Sequence, residues 1–365
     1  MRPRPVMEWL LSSGLEVLTR SRFNFVVVVA AEIVAVAELF NFRFDPAYLA
    51  EVGYPEPTLE WRFGQHTNPA VWVFIFLIFV LLVNLLPVWI YGEVEYVFGC
   101  FKLLFIIGSI FFNVIINARR GNPFEHYNEP YSFESRNFTI HGEVLTGGPA
   151  HIASTWTALT SAIFSLTGFE TVAITAPENR ELAANESVKL ATRKINLRVI
   201  LLYTLAVFTV GLNVPYTDPN LRDLSINSIK SGEHSIFVIA AVRNKVVGWP
   251  YFFNGFFIFS ATSCGISTLY GASRVLHALA SVRRVWPGWT VAQNLRSMLE
   301  RTIWGVPMAA VVISWLFGLL AFLVVQASPA EVIPQYLSLC PNLRLTPSAL
   351  HRPWAVWQPT AQCPN

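Results

Sequence analysis

The side chains with the most telling chemistry are polar or charged residues set inside apolar runs. Phe164-Ser165-Leu166-Thr167-Gly168-Phe169-Glu170 puts a glycine and an acid in the middle of one such run. A carboxylate at membrane depth costs about 3 kcal/mol on insertion scales, so it faces a protein interior or a watery cavity. There it can hold a proton or a cationic group. A helix-packing glycine beside a structurally paired glutamate accounts for the same residues equally well. Glu32 and Glu38 interrupt a second run, Lys102 stands near one end of a third, and Ser260, Ser263 and Ser267 recur along a fourth. The serines could line a path, yet small residues at helical spacing also mark close helix packing. Lys102 could equally snorkel to a membrane surface.

Enzymatic and metal chemistry lack their usual residues. There is no HExxH, no GxSxG and no pair of intramembrane aspartates, and the seven histidines all fall outside the apolar cores. Cys100, Cys264, Cys340 and Cys363 show no CxxC or Cys/His spacing. The expectation is therefore a protein that is not an enzyme and needs no metal or cofactor.

These residues must be positioned by membrane helices. Of 365 residues, 53% are hydrophobic and 13% charged, with a mean hydropathy of +0.46. Soluble domains carry about 25% charged residues. Seven segments approach the length needed to cross a hydrocarbon core of ~30 Å: 23–42, 70–90, 97–116, 155–175, 197–214, 251–276 and 306–326. Residues 1–22 read as an N-terminal extension outside the spans and unlike a targeting signal, and 327–365, with seven prolines from Pro329 on, read as a poorly ordered tail. The stretch SIFVIAAVRN from Ser235 is too short to span and reads as a helix at the outer surface.

Loop charge sets the expected orientation. Arg180, Lys189, Arg193 and Lys194 make one inter-span loop cytoplasmic, and Arg283, Arg284, Arg296 and Arg301 make another. The loop 117–154, with Glu125, Glu129, Glu134, Glu143 and the sequon Asn137-Phe138-Thr139, reads as external. Seven spans then put the N-terminus inside and the tail outside. A net charge of +3, dispersed along the chain, gives no reason to expect a nucleic-acid partner.

The segments SLTGFETVAITAPEN, RVILLYTLAVFTVGLNVPYTDPNL and GFFIFSATSCGISTLYGASRVLHALA, and the GVP before the last span, resemble the fungal amino-acid permeases of the amino acid/polyamine/organocation (APC) superfamily. So do FNFVVVVAAEIVAVAEL and YGEVEYVFGCFKLLFIIG. The resemblance covers about 23–326. It implies an all-α integral membrane bundle, part of an inverted-repeat (5+5, LeuT-like) fold, with these seven spans matching the third to ninth of twelve helices. The fourth span would be a broken helix holding substrate at Ser165, Leu166, Thr167, Gly168, Phe169 and Glu170, with its free N–H groups receiving a carboxylate. Glu32 matches an acid of the family's third helix and would help form that site or play a structural hydrogen-bonded role. Lys102 matches a lysine of proton-coupled members.

The expected function is amino-acid transport by alternating access, coupled to protons, in a fungal plasma membrane. The family's first two and last three helices find no counterpart here, so a shortened and inactive member is the companion expectation. The alternatives are a permease-derived nutrient sensor, an assembly partner or a pseudogene product. Amino acid, protons and the lipid bilayer are the expected partners.

Overall fold

The computed structural model describes residues 25, 27–119, 138–140, 143–145, 147–165, 198–215, 218, 220, 235–283, 286 and 288–322. The chain is helical. Strands among the described residues are confined to a hairpin in the long loop, β1 (Phe138–Ile140) pairing antiparallel with β2 (Glu143–Leu145). The chain divides into two compact units, one formed by 1–35, 70–86 and 264–365 and the other by 36–69 and 87–263.

Helix α1 covers 27–39 and runs through Glu32 and Glu38 without a break. The next two helices, α2 (Pro46–Val52) and α3 (Arg62–Gln65), are short. The Asp45 side chain accepts the amide of Ala47 at 3.0 Å, Pro46 supplies a preset first turn, and Gly53 ends α2 with φ of 69°. An acid, a proline and a terminal glycine at these positions form a complete local helix signal that the search for spans passes over.

The expected span 70–90 proves to be α4 (Pro69–Asn84), and the one expected at 97–116 is the C-terminal part of a 32-residue helix, α5 (Val88–Arg119). Pro87 explains the shift. Its carbonyl accepts the amides of Ile90 and Tyr91 at 3.0 Å, so the proline opens the next helix instead of merely stopping the last. The 33-residue α9 (Trp249–Ser281) likewise exceeds its expected 251–276. Both long helices are apolar enough to cross a membrane. At 1.5 Å per residue each is about 50 Å long, well beyond a core of ~30 Å.

The remaining elements are α6 (Gly148–Ser165), a π turn (Val199–Tyr203) leading into α7 (Thr204–Gly211), α8 (Ile236–Arg243), α10 (Thr290–Glu300) and α11 (Met308–Gly318). Helix α8 corrects the expectation of a surface helix. Val238, Ile239, Ala240, Ala241 and Val242 are all 0% exposed, inside a cluster with Phe42, Phe44, Leu49 and Phe253. Seven apolar residues in a row can sit on a boundary or in a core, and only the neighbours decide which.

In the second unit, α5 and α9 run antiparallel along an aromatic ladder. Phe98 meets Phe259 (5.0 Å between centroids), Phe105 stacks on Phe256, and Phe112 stacks on Trp249 at 4.1 Å. Each such pair adds about 1 kcal/mol beyond the area it buries. In the first unit the contact is closer. A Cβ on Gly318 of α11 would stand 2.8 Å from Leu77 Cδ2 of α4, so a larger residue there would force Leu77 to shift.

Candidate functional site

Two acids on α1 meet different surroundings. Glu32, half-buried, accepts a hydrogen bond from the Cys264 thiol of α9 at 3.2 Å. Gly265 faces α1 as well: a Cβ there would make ordinary contacts, 3.7 Å from Ile33 Cδ1 and 3.9 Å from Glu32 Cβ. One turn on, the Thr268 hydroxyl donates to the Cys264 carbonyl at 2.7 Å. A thiol is a weak donor, so this bond orients the carboxylate more than it offsets its charge. The arrangement is an acid set in an apolar helix with its carboxylate turned toward α9. Glu38, two turns further, has a buried Oε1 with no hydrogen-bond partner among the described residues. Nearby in sequence, the Asn254 amide donates to the Leu39 carbonyl at 2.9 Å, closing the end of α1.

Ser260, Cys264, Ser267 and Gly271 follow one stripe of α9, each three or four residues after the last. Ser263 is buried and Ser260 and Ser267 are half-buried. Lys102 on α5 is half-buried as well. At ~100° per residue it falls on the same face as Ser109 and Asn113, both buried, and not on the exposed face carrying Val97, Leu104 and Phe111. Of the expected substrate segment, Ser165 is the last described residue of α6. Leu166, Thr167, Gly168, Phe169 and Glu170 lie outside the described residues.

Buried polar groups that spacing does not reveal complete the picture. Asp218, its side chain fully enclosed, accepts from Arg243 Nη1 of α8 at 2.8 Å and from the Tyr48 hydroxyl of α2 at 3.0 Å, and its second oxygen accepts the Asn220 amide. Burial, followed by the Asp218 charge, pushes the Tyr48 phenol well above its ordinary range. Tyr54, also held up chiefly by burial, is pushed up to about 12. Asn213, beyond α7, donates to Asn113 of α5, at 2.9 Å to its carbonyl and 3.2 Å to its side chain. Partners separated by 25, 100 or 170 positions leave no periodic trace in a sequence. The one available signal is that Asn213 interrupts the end of the apolar stretch 197–214.

A family model described as amino acid permease matches residues 21–340. A probable lysine/arginine permease of Candida albicans is 31% identical over 274 residues, which is 74% of this chain and 44% of the relative. A dicarboxylic amino acid permease of Saccharomyces cerevisiae is 29% identical over 76% of this chain and 44% of its own length. An S-adenosylmethionine permease of Candida albicans is 30% identical over 76% and 41%. The chain thus spans less than half the length of these curated relatives. No solved structure matches it.

Proposed function

The chain belongs to the amino acid permease family, and from that premise we propose that it transports α-amino acids across a membrane by alternating access. The observation that carries this reading is the family match itself, which runs through every helix from α1 to α11. An integral membrane protein follows from the family, and the multi-pass arrangement and plasma-membrane location belong to the proposal.

The names of the relatives narrow the ligand by what they share. Lysine or arginine, dicarboxylic amino acids and S-adenosylmethionine differ in side-chain charge and size, but all carry an α-ammonium and an α-carboxylate. The common site should therefore hold those two groups. A glycine-broken helix at Ser165–Glu170 would receive the carboxylate on its free N–H groups. Glu32, oriented by Cys264, supplies the counter-charge for the ammonium or for the coupling proton. Lys102, on the bundle face of α5, is the second candidate for proton coupling. Ser260, Ser263 and Ser267 are candidates for lining or packing the pathway along α9.

Binding tests this most simply. Purified protein is titrated with labelled arginine, glutamate and S-adenosylmethionine. Saturable binding of at least one, competed by other α-amino acids and not by amines or carboxylic acids lacking the second group, supports the reading. Absence of binding to every α-amino acid tried removes it.

A further inference from the structure

We infer that α10, together with the turn at 303–306, is an in-plane anchor that rests on an anionic lipid leaflet. The helix is amphipathic in two directions. One side is docked on its own unit: Leu299, 1% exposed, packs with Leu276, Ala280 and Ala310. Its carbonyl meets His277 Nδ1 at 2.9 Å, and Arg296 Nε donates to the Ala280 carbonyl at 2.9 Å while also pairing with Glu300. Those bonds fix α10 against the last turns of α9. A second side, with Val291, Leu295 and Met298 at successive helical turns, is exposed and apolar. Trp289 at one end of α10 and Trp304 in the following turn are 75% and 76% exposed.

Three observations identify the occupant as lipid. First, the segment joins α9, long and apolar enough to cross a membrane, to the apolar helix α11, so it emerges at a membrane boundary. Second, exposed tryptophans at both ends of an apolar stripe match side chains that settle at headgroup level. Third, residues 282–305 carry Arg283, Arg284, Arg296 and Arg301 against the single acid Glu300, a net of +3 (four minus one). Arg283 and Arg301, one on each side of α10 in the chain, are exposed. The helix itself is charge-balanced by its Arg296–Glu300 pair, and the arginines flanking it give the segment the positive charge that favours anionic headgroups. The turn is shaped for presentation: Trp304 and Gly305 adopt φ of 52° and 78°, Ile303 and Val306 exchange both backbone hydrogen bonds, and Arg274 Nη1 holds the Gly305 carbonyl at 3.3 Å.

The test uses the full chain with Met298→Cys as the labelled thiol, the native cysteines replaced, and a polarity-sensitive fluorophore attached. Proteins are reconstituted in phosphatidylcholine vesicles with or without 30% phosphatidylserine. The anchor predicts at least twofold stronger quenching by shallow nitroxide lipids in the anionic vesicles, and loss of that gain in Arg283→Gln/Arg301→Gln. Equal access of aqueous iodide in both vesicles and in detergent overturns it. So does disulfide cross-linking of unlabelled Met298→Cys protein to a second copy in the same vesicles, which would mean that protein covers the stripe. Hydrogen exchange of the α10 amides gives a label-free reading: slower exchange in anionic vesicles supports the anchor, and unchanged exchange contradicts it.

Discussion

The Cys264 thiol and the Glu32 carboxylate, 232 positions apart in the chain, meet at 3.2 Å between α9 and α1. If that bond orients a ligand-binding acid, Cys264→Ser should preserve uptake, since a hydroxyl donates at the same place. Cys264→Ala should lower it severalfold and cost about 1 kcal/mol of stability. Alkylation of Cys264 should also slow when saturating substrate is present. Equal uptake in all three proteins would leave the bond a purely structural one.

Asp218 and Arg243 form a buried ion pair in the second unit, and removing one partner strands the other. Arg243→Ala should destabilise the protein by about 3–5 kcal/mol, whereas the double change Asp218→Asn/Arg243→Met should cost much less. Thermal unfolding in detergent separates the two outcomes.

The elevated Tyr48 phenol gives a pH dependence with a definite sign. Its folded state favours the neutral form, so its contribution is complete below the ordinary tyrosine range near pH 10 and fades as pH rises further. Tyr48→Phe should reduce the loss of stability above pH 10, and the residual slope should include Tyr54 and Tyr251. Stability measured from pH 8 to 11 in both proteins checks this.

Gly318→Ala places a methyl group 2.8 Å from Leu77 Cδ2 and should cost about 1–3 kcal/mol by overpacking. Leu77→Ala in the same chain should recover part of that loss. Equal melting temperatures for Gly318→Ala and the parent protein would refute the close contact.

Legibility followed the range of the interactions. Apolar runs carried α4, α9 and the core of α5, because a span is a local property of ~20 residues. The expected span 70–90 runs past the true helix boundary at Pro87, because a proline can end one helix or begin the next, and the difference lies in which carbonyls its neighbours reach. Glu32 was legible as a misplaced charge. Its partner was not, since Cys264 stood out only as a cysteine without metal-ligand spacing. The burial of α8 and the Asp218–Arg243–Tyr48 cluster depend wholly on tertiary neighbours. The segment Leu166–Glu170 lies outside the described residues, so the proposed break there still rests on Gly168 and the cost of a mid-span acid.

The central claim is that α-amino acids cross the membrane by way of a site that includes Glu32, and flux is its most direct measure. Protein reconstituted into liposomes should accumulate a labelled α-amino acid above empty liposomes, faster when the outside is made acidic relative to the lumen. Glu32→Gln should lose at least tenfold of that rate while keeping the melting temperature within a few degrees. Uptake no greater than in empty liposomes, or full uptake by Glu32→Gln, would contradict the account.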